Sequence, residues 1–132
     1  MTNEDSLIKA FADPARAGRY LGLLGSPRGR AKLIATLAHD FRLDSRYATR
    51  VASTESNARS IERLLRKLGA PEVCYCLSEN PELDTREMPL GEALAATVGY
   101  GMGTLISCVP GKLAYYESEE RGERYVLRRA AA

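Results

Sequence analysis

Thr104-Leu105-Ile106-Ser107-Cys108-Val109-Pro110-Gly111-Lys112-Leu113-Ala114-Tyr115-Tyr116-Glu117 is the stretch on which the fold turns. Two runs of strand length flank Pro110-Gly111. Proline suits the second position of a tight turn, and glycine accepts the positive φ required at the third. The pair therefore predicts a hairpin joining strands over 104–109 and 113–117.

Working outward, the run from Arg124 to Arg128 alternates, with Tyr125 and Leu127 set against Arg124, Val126 and Arg128. It predicts a third strand of a meander. The charged Glu119-Glu120-Arg121-Gly122-Glu123 before it reads as a solvated hairpin loop eased by Gly122, and the Ala130-Ala131-Ala132 end reads as frayed. Arg128 and Arg129 give that strand a charged edge. On the other side, Val73-Cys74-Tyr75-Cys76-Leu77 is apolar on both parities, as in a strand covered on both faces. A polar loop from Ser78 to Met88 follows. Pro89 then opens a helix carrying Leu90, Ala93, Leu94 and Val98 on one face, and Gly99 closes it.

The first half reads as helices. Asp13-Pro14 and Ser26-Pro27 are start signals, an N-cap acceptor followed by a proline whose missing N–H costs nothing there. Leu33, Ile34, Leu37 and Phe41 recur at helical spacing after the second start. A later helix is capped by Ser53 or Thr54, carries Ala58, Ile61, Leu64, Leu65 and Leu68, and stops at Gly69 and Pro71. Residues 42–52 fit either period, and the β-branched and aromatic content of 47–51 tilts them to strand. The expectation is one α+β domain over 1–132. Its N-terminal helices pack on one face of a four or five stranded, mainly antiparallel sheet with a C-terminal meander.

The length, 132 residues with 45% hydrophobic and 27% charged side chains, fits one domain and excludes a disordered or collagen-like chain. An acidic start and the absence of a long apolar run predict a soluble, cytoplasmic protein with no membrane partner. The net charge of +2 hides a split: residues 1–66 hold 12 basic and 7 acidic side chains, residues 67–132 hold 7 and 10. Complementarity within the chain or between copies is one reading, and a phosphate-binding half is the other.

Cys74, Cys76 and Cys108 lie in apolar strands without knuckle spacing, so they read as core residues, with no metal and no cofactor expected. His39, the only histidine, sits where the dipole of a helix C-terminus favours its cation. The glycines of Gly99-Tyr100-Gly101-Met102-Gly103 follow a helix and precede a strand, the reverse of the dinucleotide fingerprint, and read as a tight crossing. Two groups of residues carry chemistry. Ser78, Glu79, Asn80 and Asp84 on the polar loop, with Lys112 beside the Pro110-Gly111 turn as a second candidate, form one ligand-binding group, where Glu79 and Asp84 would act as acid and base or as oxygen ligands for a hard cation. Arg42, Arg46, Arg50, Arg59, Arg63 and Arg66 form the other, a positive surface able to face phosphates. Against the second, Glu55 and Glu62 stand four residues before Arg59 and Arg66, the order of ordinary helix ion pairs, and no aromatic interleaves the helical stripe.

No catalytic set converges. The sequence therefore predicts a small non-catalytic interaction or regulatory module whose partner is another protein or a second copy as a homodimer, since the two-sided strands need cover that helices on one face do not give. The alternatives are a binder of nucleic acid or a phosphorylated small ligand through the Arg-rich half, and a small enzyme using loop 78–87.

Overall fold

A computed structural model of the chain describes residues 2–120 and 123–129. The strands are β1 (Ala48–Arg50), β2 (Val73–Ser78), β3 (Glu87–Pro89), β4 (Thr104–Val109), β5 (Leu113–Glu117) and β6 (Arg124–Arg128). They form one antiparallel sheet in the order β1-β6-β5-β4-β2-β3. Gly111 takes φ +73° in the β4–β5 turn, which is the conformation the Pro-Gly pair predicts. Residues 121 and 122 of the expected β5–β6 loop, and the end at 130–132, lie outside the described residues.

Six strands replace the expected four or five. The addition is β3, which falls inside the stretch read as polar loop. It has three residues, only Met88 of them is buried, and a strand that short has no alternation to detect. At the opposite edge β1 is equally short, preceded by a single 3-10 turn at Ser45–Tyr47.

Five helices cover the sheet: α1 (Asn3–Phe11), α2 (Pro14–Leu23), α3 (Pro27–His39), α4 (Ala58–Lys67) and α5 (Leu90–Thr97). The first was not expected. Its signal is a capping box, in which Thr2 and Asp5 bond each other's backbone N–H, followed by buried Leu7, Ile8 and Phe11. The helices α1 to α3 pack Leu7, Phe11, Leu33 and Leu37 on Leu77, Leu105, Ala114, Tyr116 and Leu127. On the other face α4 and α5 pack Ile61, Leu65, Leu90 and Leu94 on Cys74, Cys76, Ile106, Cys108, Tyr115 and Val126. Apolar runs on both parities thus have a physical cause within one chain. Both faces of the sheet are covered without a second copy, which removes the reason the sequence gives for self-association. No helix among the described residues is long and apolar enough to cross a membrane.

A row of polar side chains crosses one end of the sheet on the α4–α5 face, in the register Ser78, Thr104, Glu117, Arg124. Ser78 and Thr104 share a hydroxyl–hydroxyl bond of 2.7 Å. Glu117, 2% exposed, accepts from the Tyr115 hydroxyl, Gly99 N and Arg124 Nε at 2.7, 2.9 and 3.1 Å. Arg124 reaches on to the Ser56 carbonyl. The row fastens the exit of α5 and the approach to α4 to the sheet.

The charge split is resolved inside the chain: Arg30 pairs with Asp84, Arg66 with Glu72, and His39 with Glu119 and Glu120. Each joins a basic group of the first half to an acid of the second. All three cysteines are buried free thiols, and burial pushes Cys108 up to about 12, far from the thiolate that a nucleophile requires.

Candidate anion-binding site

Loop 78–87 consumes its own polar groups. Asp84 holds Arg30 through two bonds of 2.6 and 2.9 Å and accepts from Ser78 N at 3.0 Å, while Glu4 on α1 takes the rest of the same guanidinium. Glu79 accepts from Gly103 N at 2.6 Å, and its own N–H donates to the Gly103 carbonyl. Asn80 closes an Asx turn onto Glu82 N. Glu79 and Asp84 are therefore engaged in holding the loop, each by a different element. Lys112 lies apart, exposed in the β4–β5 turn, where its backbone pairs with Arg129 and Val109.

A cleft of about 550 Å³ borders this network and is lined by Glu4, Asp5, Tyr75 and Glu87. Its carboxylates are occupied. Glu4 is bonded by Arg30 and by the Tyr75 hydroxyl, and Asp5 belongs to the capping box. Among the lining carboxylates Glu87, which is exposed, is the exception.

The arginines divide. Arg66 is bound by Glu62 and Glu72, and Arg46 by Asp44, whose carboxyl it holds below the ordinary carboxylate range. Among the described residues no ion pair engages Arg42, Arg50, Arg59 or Arg63. The pairing expected of Glu55 and Arg59 does not form, because Glu55 belongs to a 3-10 turn ahead of α4 rather than to the helix. Arg59 and Arg63 are exposed on α4. Arg42 and Arg50 come together with something the sequence did not show: aromatic rings contributed by other strands.

At the β1 side of the α1–α3 face, four rings form a column. Tyr20 and Phe41 stack at 5.0 Å between centroids, Phe41 and Tyr116 follow at 5.6 Å, and Tyr116 and Tyr125 at 6.4 Å. The last pair are direct cross-strand partners of β5 and β6, and Arg50 of β1 is the next partner of Tyr125. The Arg50 guanidinium accordingly stands over the Tyr125 ring, 5.8 Å from its centroid. Beside it Arg46 and Arg129 both stack on Tyr47, at 5.1 and 4.2 Å.

A pocket of about 290 Å³ opens over this column, at the lower end of small-ligand pockets. Its floor is Phe41, Tyr116 and Tyr125, and its rim includes Arg42, Ser45, His39 and Glu123. The Arg42 backbone is fixed on both sides, its N–H donating to the Tyr20 hydroxyl and its carbonyl accepting from Asp13 N. His39 stands in the last turn of α3, its ring nitrogens 3.0 Å from Glu119 and 3.2 Å from Glu120. The Tyr116 hydroxyl is spent on the Leu37 carbonyl, and burial raises its pKa, so it offers a face and no proton. The rim is thus cationic at Arg42 and anionic at Glu123, while Arg50 covers a face of Tyr125 and borders a second cavity of about 290 Å³ with Leu64 of α4 and Leu68 at its C-cap.

Compared with known proteins, the chain matches no family model, no curated protein and no solved structure.

Proposed function

We propose that the protein binds a phosphorylated small ligand in the pocket between the end of α3 and the β1–β6 edge, with Arg42 and Arg50 as the phosphate contacts. The observation that carries this reading is that Arg42, which has no carboxylate partner among the described residues, lines an aromatic-floored pocket, with Arg50, likewise without one, stacked on the Tyr125 ring of that floor. An unpaired guanidinium presents a fork of N–H donors matched to phosphate geometry, and such charge-assisted bonds are the strong ones. Ser45 and His39 both line the pocket, but among the described residues no hydrogen bond joins them, and the reading is one of binding.

The test is a titration of ribose 5-phosphate into the isotope-labelled protein at low salt, followed by NMR. Shifts at Arg42, Ser45, Arg50 and Tyr125 are expected, with affinity falling as salt rises. Arg42→Ala or Arg50→Ala should each weaken binding about tenfold. Absence of saturable shifts at millimolar ligand, or shifts confined to Arg59 and Arg63 on α4, would refute the assignment.

A further inference from the structure

We propose that the second cavity, on the opposite face of β1 and β6, binds a straight-chain carboxylate of about eight carbons, with Arg128 holding its head group. It shares no lining residue with the pocket at the end of α3.

The cavity follows from a mismatch between a helix and the strand below it. Ile61 and Leu65 of α4 are fully buried against the sheet, whereas Leu64, on the flank of the same stripe, is 36% exposed. Leu68 at the C-cap is half-buried. The edge strand β1, three residues long, leaves that flank unfilled. What remains is a hollow of about 290 Å³, walled by Leu64 and Leu68 and floored by Val51 and Val126. An apolar body laid there takes both surfaces out of water.

Two charges select the ligand class. Arg128 lines the cavity from the strand face of Val126, beside its cross-strand partner Leu113, and both of these belong to the α4–α5 core. No ion pair engages Arg128 among the described residues. Arg50 borders the cavity too, but its guanidinium lies over Tyr125 on the other face of β6, which leaves Arg128 as the cation for a head group. One guanidinium matches the single charge of a carboxylate, whereas a phosphomonoester brings nearly twice that charge.

Glu55 stands at the far end. Val51 N donates to the Arg124 carbonyl, so the chain running on to Glu55 leaves β6 at the end away from Arg128, about 13 Å along the strand. An anionic head is drawn to Arg128 and repelled from Glu55, which fixes one orientation and lays the chain along Leu64 and Val126.

Sodium octanoate, below its micelle concentration, is titrated into the isotope-labelled full chain and followed by NMR. Saturable shifts are expected at Thr49, Leu64, Leu68, Val126 and Arg128, and each methylene removed from the ligand should weaken binding about fourfold. Arg128→Gln should weaken octanoate about tenfold and leave 1-octanol unchanged, which also shows that the variant keeps its cavity. Octanedioate should bind at least tenfold more weakly than octanoate, and Glu55→Gln should narrow that gap. An equal loss of octanoate and 1-octanol in Arg128→Gln overturns the head-group assignment, and octanedioate bound as tightly as octanoate overturns the orientation. Absence of saturable shifts at millimolar octanoate, or octylamine bound as tightly as octanoate, overturns the proposal as a whole.

Discussion

Gly103 shows how one absent side chain shapes the site. A Cβ there would lie 2.4 Å from the Leu37 carbonyl carbon and 2.6 Å from Ala38 N, both backbone atoms of α3 that cannot step aside. Gly103→Ala should therefore cost about 3 kcal/mol, read as a lower urea midpoint at unchanged slope. A loss below a few tenths of a kcal/mol would mean that α3 and β4 are not in backbone contact. Glu79 bonds the same glycine and gives a pH test. Burial and the neighbouring Glu119 carboxylate raise its carboxyl above the ordinary value of 4.5, against the opposing Gly103 N–H. The folded chain then keeps this proton to higher pH than the unfolded chain does, so its contribution to stability is lost as pH rises through that interval. Glu79→Gln still accepts from Gly103 N and should gain on the parent protein as pH rises from the ordinary carboxylate range towards neutrality. Parallel urea midpoints for the two proteins across that range would contradict it.

Elements are held together here by buried polar contacts as much as by apolar packing. Glu117 receives bonds from β5, from β6 and from the loop after α5, and Arg124 passes the link to the approach of α4. Glu117→Ala leaves Arg124 and the Gly99 N–H without their acceptor and should cost about 3 kcal/mol, near the penalty for breaking a buried pair. Exchange of the Gly99 amide with solvent should accelerate in the same variant, and a protected amide would show another acceptor at work. These contacts also mark where the sequence was legible. The strands β4, β5 and β6 could be read because a Pro-Gly turn and clean runs specify each locally, and α2 and α3 because caps and period agree; α4 was legible from its period alone, since its cap is Asn57 and the expected Ser53 and Thr54 belong to a 3-10 turn before it. By contrast β3 is an edge of three residues defined by its partner β2, and α1 rests on a capping box too short to stand out before its apolar residues are counted. Within the site, Arg42 and Arg50 were candidates from charge alone. Their separation from Arg46 and Arg66 depends on which carboxylate each meets in space, and Tyr125 reaches Arg50 only through the β1–β6 register, across more than seventy residues of chain.

The whole molecule is a sheet enclosed by helices on both faces and bounded by a three-residue strand at each edge. Short edges offer few free backbone groups for strand addition, and Arg50 and Glu87 place charge on them. Among the described residues, large apolar side chains are exposed only singly, at Leu64, Val73 and Tyr100. Light scattering at micromolar concentration should accordingly return the mass of one chain, 14.5 kDa. A doubled mass would show that one of these isolated side chains seeds an interface. The backbone contact between Gly103 and the last turn of α3 has a further consequence. It seats the last turn of α3, which carries His39, directly on the backbone that leads into β4. For the proposed phosphorylated ligand, association is therefore expected to be a single encounter whose observed rate climbs in proportion to ligand concentration, and a plateau in stopped-flow measurements would show that an opening step precedes it.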